Sequence, residues 1–164
     1  MINVRIKKLH PDAVVPSYAK PGDAGMDLTA VSKVYDKDGN VSYGIGLAFE
    51  IPEGYVGLLF PRSSNSKKEL VLSNSVGVLD SGYRGEVSFK FKPVPFFSGK
   101  DDAESVDATD YTTTELGVND VVDYHVGERI GQIIILPYPQ VTFEEVEELS
   151  ATERGKGGFG STGK

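Results

Sequence analysis

Short runs of alternating apolar and polar residues, cut at close intervals by glycine and proline, run through most of this chain. Val4 and Ile6 share one face of Asn3–Lys8. Leu47, Phe49 and Ile51 do so in Gly46–Ile51, and Val87, Phe89 and Phe91 in Glu86–Lys92. A period of two suits half-buried antiparallel strands and is incompatible with a helical stripe. Tyr55–Phe60 and Ile130–Leu136 are near-continuous apolar runs, which predicts strands buried on both faces. Pro21-Gly22-Asp23, Asp38-Gly39-Asn40, Pro52-Glu53-Gly54 and Ser81-Gly82 supply turns between them. Only Phe143–Leu149, with Phe143, Val146 and Leu149 three apart, fits a helix, and Val141-Thr-Phe fits a strand equally well. The expected fold is all-β, a sandwich or barrel.

Composition narrows what such a fold can do. At 164 residues, 39% hydrophobic and 25% charged, the chain matches one folded domain and not a disordered or membrane protein. Ile133–Leu136, its longest strongly apolar stretch, is far too short to span a bilayer, and no signal-peptide pattern opens the sequence. With no cysteine, disulfides, thiol nucleophiles and Cys-ligated metals are excluded. With only His10 and His125, any metal should be a hard ion held by oxygen. The expected compartment is the cytoplasm.

The 24 carboxylates outnumber the 17 Lys and Arg, but eight of them fall in 101–123, where there is no cation. The remainder is close to neutral. No basic stripe marks a nucleic-acid face, so neither nucleic acid nor membrane is an expected partner. The Ser-, Thr- and Asp-rich stretch at about 93–123 reads as a long acidic loop or inserted hairpin, solvated at the surface and placed by repulsion away from any phosphate site. Residues 151–164 hold five glycines and one large apolar side chain, Phe159. The organisation expected is a β domain over 1–150 followed by a mobile arm over 151–164.

Five segments carry chemistry. Pro61-Arg62-Ser63-Ser64-Asn65-Ser66 puts a cation beside hydroxyls and backbone amides, a set that can fork onto phosphate oxygens or form an ordinary polar turn. In the tail Arg154-Gly-Lys-Gly-Gly-Phe159-Gly160-Ser161-Thr162-Gly, glycines permit close approach to a ligand, Arg154 and the hydroxyls can donate to phosphates, and Phe159 can cover a base. Asn74-Ser-Val-Gly77-Val78-Leu-Asp80-Ser-Gly82-Tyr83-Arg-Gly85 reads as a strand, a tight turn and the start of a second strand. Asp80, following two apolar residues, is a partly sheltered candidate general base. Asp27, within Ala24–Ala30, is a carboxylate in an apolar run and needs a hydrogen bond or a metal-bound water. Gln132 interrupts the apolar Ile130–Leu136 run and either satisfies neighbouring backbone or faces a site.

In this order the five segments resemble the five motifs of the trimeric dUTPases, from Ala24 to Gly163. The resemblance implies a distorted jelly-roll or β-barrel subunit, a homotrimer with shared active sites, and hydrolysis of dUTP to dUMP and pyrophosphate. That reaction keeps uracil out of DNA and supplies dUMP for dTMP synthesis. It also implies roles. Asn74, Gly77 and the hairpin carried by Val78–Tyr83 form a uracil pocket, with Tyr83 on the deoxyribose. Asp80 positions the attacking water. Arg62, Ser63, Ser64 and Gln132 contact phosphates, and Asp27 reaches Mg²⁺ through water. Arg154, Phe159, Gly160, Ser161 and Thr162 belong to an arm that closes over the nucleotide.

Two positions depart from the family pattern. Ser64 stands where glycine is common and Gly131 where alanine is usual, with consequences expected for loop rigidity. Two other functions compete with the dUTPase reading. A dCTP deaminase of the same fold can share the Arg-Ser-Ser turn but commonly has Phe at the position of Tyr83. A dUTP-responsive regulatory protein would act through the acidic insertion.

Overall fold

The computed structural model describes residues 2–94 and 122–158. Ten strands are formed: β1 (Arg5–Lys8), β2 (Met26–Thr29), β3 (Ser32–Tyr35), β4 (Val41–Gly44), β5 (Leu47–Glu50), β6 (Tyr55–Pro61), β7 (Leu70–Leu72), β8 (Gly77–Leu79), β9 (Ser88–Pro93) and β10 (Arg129–Pro137). A single 3-10 turn, Ser63–Lys67, is the only helical element among the described residues. All pairings are antiparallel. Two four-stranded sheets, β2-β10-β6-β8 and β3-β4-β9-β7, accompany a two-stranded β1-β5 ribbon. This is the all-β architecture that the alternation predicts.

The core lies where the alternating faces meet. Leu28, Ile130 and Ile133 come from one sheet, Tyr43, Phe89 and Phe91 from the other, and Leu47 and Phe49 from the ribbon. Tyr43 meets Phe91 edge-on at 5.9 Å between ring centroids, and Phe89 stacks on Phe91 at 6.3 Å. Aromatic pairs of this kind add to the stabilisation from area burial alone.

Four expectations need correction. The runs in β6 and β10 are not buried on both faces. Leu59 and Ile133 point into the core, while Val56, Leu58, Ile134 and Leu136 stay half-exposed on the outer face. Ile134 lies opposite Leu58 and Leu136 opposite Val56, so they form one apolar stripe that no other layer of the described chain covers. Phe143–Leu149 is neither helix nor strand: Phe143 is 96% exposed and Leu149 88%, with no packing partner to select either form. The strand after Gly85 begins only at Ser88 and joins the opposite sheet, so β8 and β9 do not make a hairpin ladder. Gly131 sits within β10, inside the predicted Ile130–Leu136 strand, so its departure from the family pattern bears on core packing and not on loop rigidity. A Cβ there would lie 2.3 Å from a ring carbon of Phe89, so this large aromatic fills the space an alanine would need.

Candidate active site

The β2-β10-β6-β8 sheet carries two clusters of polar side chains at opposite corners. In the first, Gln132 of β10 lies between Asp27 of β2 and Phe60 of β6 on one rung of the outer face. Its amide donates to the Pro61 carbonyl at 3.2 Å. Gly25 lets this side chain lie across the start of β2, since a Cβ there would meet Gln132 Oε1 at 2.4 Å. Where β6 ends, Arg62 turns back over the sheet. Its Nε donates to Asp27 Oδ1 at 2.7 Å and its Nη1 to Ser64 Oγ at 3.3 Å. Arg129 Nη1 reaches the other Asp27 oxygen at 3.0 Å. The carboxylate that the sequence places in an apolar run is therefore half-buried and held by two arginines.

Two cavities border this cluster. One of about 320 Å³ is lined by Asp23, Gly25, Asp27 and Gln132, among others. The other, about 480 Å³, is lined by Arg62, Ser64, Lys67, Lys68, Tyr124, Glu128 and Arg129. Four cations against one carboxylate make the second cavity suited to an anion. Glu128 is engaged already: the His125 N–H lies 2.5 Å from its carboxyl, and with Lys68 it keeps Glu128 below the usual carboxylate range.

The second cluster forms where the chain crosses between sheets twice. Ser73–Val76 links β7 to β8, with Ser75 in the left-handed region at φ 59°. Residues 80–87 then return the chain from β8 to β9. Between these crossings is a pocket of about 210 Å³ lined by Leu59, Asn74, Gly77–Asp80, Tyr83 and Glu86–Ser88. Among the described residues β8 pairs only with β6, so its other edge offers unpaired backbone groups at the pocket. Tyr83 folds back over Gly85, and its hydroxyl donates to the Glu86 carbonyl at 3.1 Å. Asp80 follows the buried Leu79 but is itself exposed, because the turn carries it off the end of the strand.

The structure thus brings Asp27, Arg62, Ser64 and Gln132 together, and separately Asn74, Gly77, Val78, Asp80 and Tyr83. Ser63 is exposed on the same 3-10 turn as Ser64. Arg154 is also exposed, and its Nε donates to Gly157 O within its own turn. Phe159, Gly160, Ser161 and Thr162 lie outside the described residues, as does most of the acidic insertion. Arg129, Glu86 and Ser88 line these sites without having been singled out. Arg129 had a signal, because it stands in the same Gly127–Gln132 string as Gln132. One end of the acidic stretch departs from expectation. The Asp123 side chain is only 8% exposed and pairs with Lys33 at 2.6 Å, while its carbonyl accepts from Lys68 at 2.6 Å. The stretch therefore returns directly behind the Arg62 turn, where local cations hold it.

A small pocket with an open strand edge and a guanidinium-rich cluster thus lie on one sheet of an all-β protein. A family model described as dUTPase matches residues 12–94 and 117–163. The chain is 37% identical to the deoxyuridine 5'-triphosphate nucleotidohydrolase of Clostridioides difficile, over 99% of each protein. It is 38% identical to that of Nautilia profundicola, covering 99% of this chain and 100% of the relative. Its fold superposes on the dUTPase of Staphylococcus bacteriophage 80alpha, solved with dUPNHPP, with a TM-score of 0.73 over 100% of both chains at 29% identity. The chain belongs to the dUTPase family.

Proposed function

We propose that this protein hydrolyses dUTP to dUMP and pyrophosphate. The observation that carries the reading is that the family's segments, in the family's order, build a small pocket along β8 and an arginine cluster at the opposite corner of the sheet, two parts that neighbouring subunits would bring together. The edge of β8 reads the uracil ring through backbone groups, and Tyr83 packs on the deoxyribose. Asp80, exposed at the pocket rim, orients a water for in-line attack on the α-phosphorus and accepts its proton. Arg62, Ser63, Ser64 and Gln132 bind phosphate oxygens, and Arg62 neutralises charge that develops on the leaving pyrophosphate. Arg154, Phe159, Gly160, Ser161 and Thr162 close the site as an arm, 151–164, on a domain comprising 1–150.

Among the described residues no group of three or more His, Asp or Glu is placed to cage a metal. Asp27, a half-buried oxygen donor lining the cavity beside Gly25 and Gln132, fits Mg²⁺, which retains waters and binds mainly through substrate phosphates. Asp27 would hold it through water. When bound, the ion supplies charge neutralisation on the phosphate oxygens.

The active unit is a homotrimer with shared sites. Leu79 is three strands away from Asp27 and three residues along from the Gln132–Phe60 rung, a separation on the order of 17 Å from strand spacings. A triphosphate tail does not cover that distance from a ribose in the β8 pocket of the same chain. The uncovered apolar stripe on β6 and β10, and the exposed Val141, Phe143 and Leu149, provide surface for neighbouring subunits.

Product analysis with dUTP, dCTP, dTTP and UTP in the presence of Mg²⁺ tests the reading. Pyrophosphate and dUMP from dUTP alone are expected. Ammonia release from dCTP with the triphosphate intact would assign a deaminase instead, and tight dUTP binding without turnover would assign a regulator.

A further inference from the structure

The turn that carries Arg62 and Ser64 is held together by a side chain to which no role has yet been given. Asn65, in the middle of the 3-10 turn, donates from Nδ2 to the Leu70 carbonyl at 2.9 Å. Its backbone N–H donates to Arg62 O at 2.9 Å, and its own carbonyl accepts from Lys68 N at 2.9 Å. The remaining polar atom, Oδ1, accepts from the Tyr124 hydroxyl at 3.1 Å. Asn65 thus ties together both ends of the turn that presents Arg62 and Ser64, and Tyr124 supplies its remaining partner.

Tyr124 is itself immobilised. It is 2% exposed, and its ring packs against Tyr43 and Phe91 with centroids 6.0 and 5.8 Å away. Its N–H donates to the Tyr43 hydroxyl and its carbonyl accepts from that same hydroxyl, both at 3.0 Å. Lys68 Nζ lies 4.8 Å from the ring centroid. Burial pushes the phenol above its ordinary pKa, so the hydroxyl remains a donor throughout the neutral range. The same residue also lines the basic cavity beside Arg62.

We propose that Tyr124 is a positioning residue for the triphosphate, fixing the Arg62–Ser64 turn through its hydrogen bond to Asn65. The inference rests on Arg62 being a phosphate contact. Loss of one such bond loosens the turn while leaving Arg62 and Ser64 themselves intact, so the effect falls on the phosphate tail and spares the nucleoside pocket. A general packing role would weaken all ligands alike.

The test is binding of a non-hydrolysable dUTP analogue and of dUMP to the full chain, by calorimetry, for Tyr124→Phe, Asn65→Ala and the double variant. The phenyl ring of Tyr124→Phe keeps the core filled. Analogue affinity should fall about three- to tenfold, the range expected for one hydrogen bond, with dUMP affinity unchanged. The double variant should lose no more than the worse single one. Equal losses for both ligands, or none for either, overturn the proposal. Should Tyr124→Phe fold poorly, Asn65→Ala, altered on the turn itself, decides by the same comparison. Arg62→Ala separates the two failures. If its analogue affinity is also unchanged, the phosphate reading of the turn falls. If it binds weakly while Tyr124→Phe binds normally, only the role of Tyr124 falls.

Discussion

Asp27 is shared by two arginines that approach different oxygens, Arg62 at 2.7 Å on Oδ1 and Arg129 at 3.0 Å on Oδ2. One carboxylate cannot neutralise both cations, so the cluster keeps a net positive charge facing the basic cavity. Arg129 draws on the same carboxylate charge from the other oxygen, so Asp27 offsets only part of the charge that Arg62 presents to the cavity.

Arg129→Gln should therefore raise the KM for dUTP severalfold with little change in kcat. The Arg129 side chain is 58% exposed, so solvent screening keeps the effect modest. The effect should shrink as ionic strength rises, because the lost attraction is between charges partly open to salt. Steady-state kinetics at two salt concentrations decide it, and an unaltered KM at low salt would remove Arg129 from substrate binding.

Tyr83 contributes two separable features, a half-exposed ring at the pocket rim and a hydroxyl that donates to Glu86 O. If the ring packs on deoxyribose, Tyr83→Ala should weaken dUTP and narrow its advantage over UTP. Tyr83→Phe, which keeps the ring, should retain most of that advantage. The ratio of kcat/KM values for the two nucleotides is the measurement. A ratio unaffected in Tyr83→Ala would leave this side chain with only its turn-forming bond.

Much of this was legible before any coordinates. Phe89 and Phe91 alternate with lysines, and that period alone placed them inward on a strand. The pocket segment and the Arg62 turn were recognisable from residue order. What escaped the sequence depends on partners distant along the chain. Nothing near Asp27 reveals that Arg129, 102 residues away, will share it. Tyr124 adjoins an Asp-rich stretch, so composition assigned its neighbours to a solvated loop, whereas Asp123 is held inside by Lys33 and Lys68. The outer faces of β6 and β10 misled for a related reason. An apolar run does not say which layer packs on it, and among the described residues none packs on the outer faces of β6 and β10.

Gly131 offers a test of packing independent of catalysis. A methyl group there would meet two Phe89 ring carbons at 2.3 and 2.4 Å and the Phe60 carbonyl at 3.0 Å. Gly131→Ala should therefore destabilise the fold by about 1–3 kcal/mol, the usual range for overpacking. Phe89→Leu alone should also destabilise, by leaving a cavity in the core. Combined, the two changes should be less harmful than their sum, because the shortened side chain vacates the space the methyl occupies. Denaturant unfolding at one protein concentration measures all three. Simple additivity would show that the β10 backbone, not the Phe89 ring, absorbs the methyl.

The arm and the shared site can be tested in one experiment. Asp80 stands at the rim of the β8 pocket, while the Arg62 cluster lies at the far corner of the same sheet, and the arm follows the exposed stretch after β10. Asp80→Asn should preserve nucleotide binding and reduce turnover by about 10²–10⁴, the range for a lost general base. Deletion of 151–164 removes little apolar surface and should leave the fold intact while impairing closure. Each variant is weak for a different reason, and each still supplies what the other lacks. If the pocket and the arm of one site come from different subunits, some sites in a mixed trimer receive an intact Asp80 and an intact arm. Co-refolding the two chains should then restore activity well above the sum of the parents. Parent-level activity from verified mixed trimers would confine each site to one chain, and a monomer by sedimentation would exclude sharing before any assay.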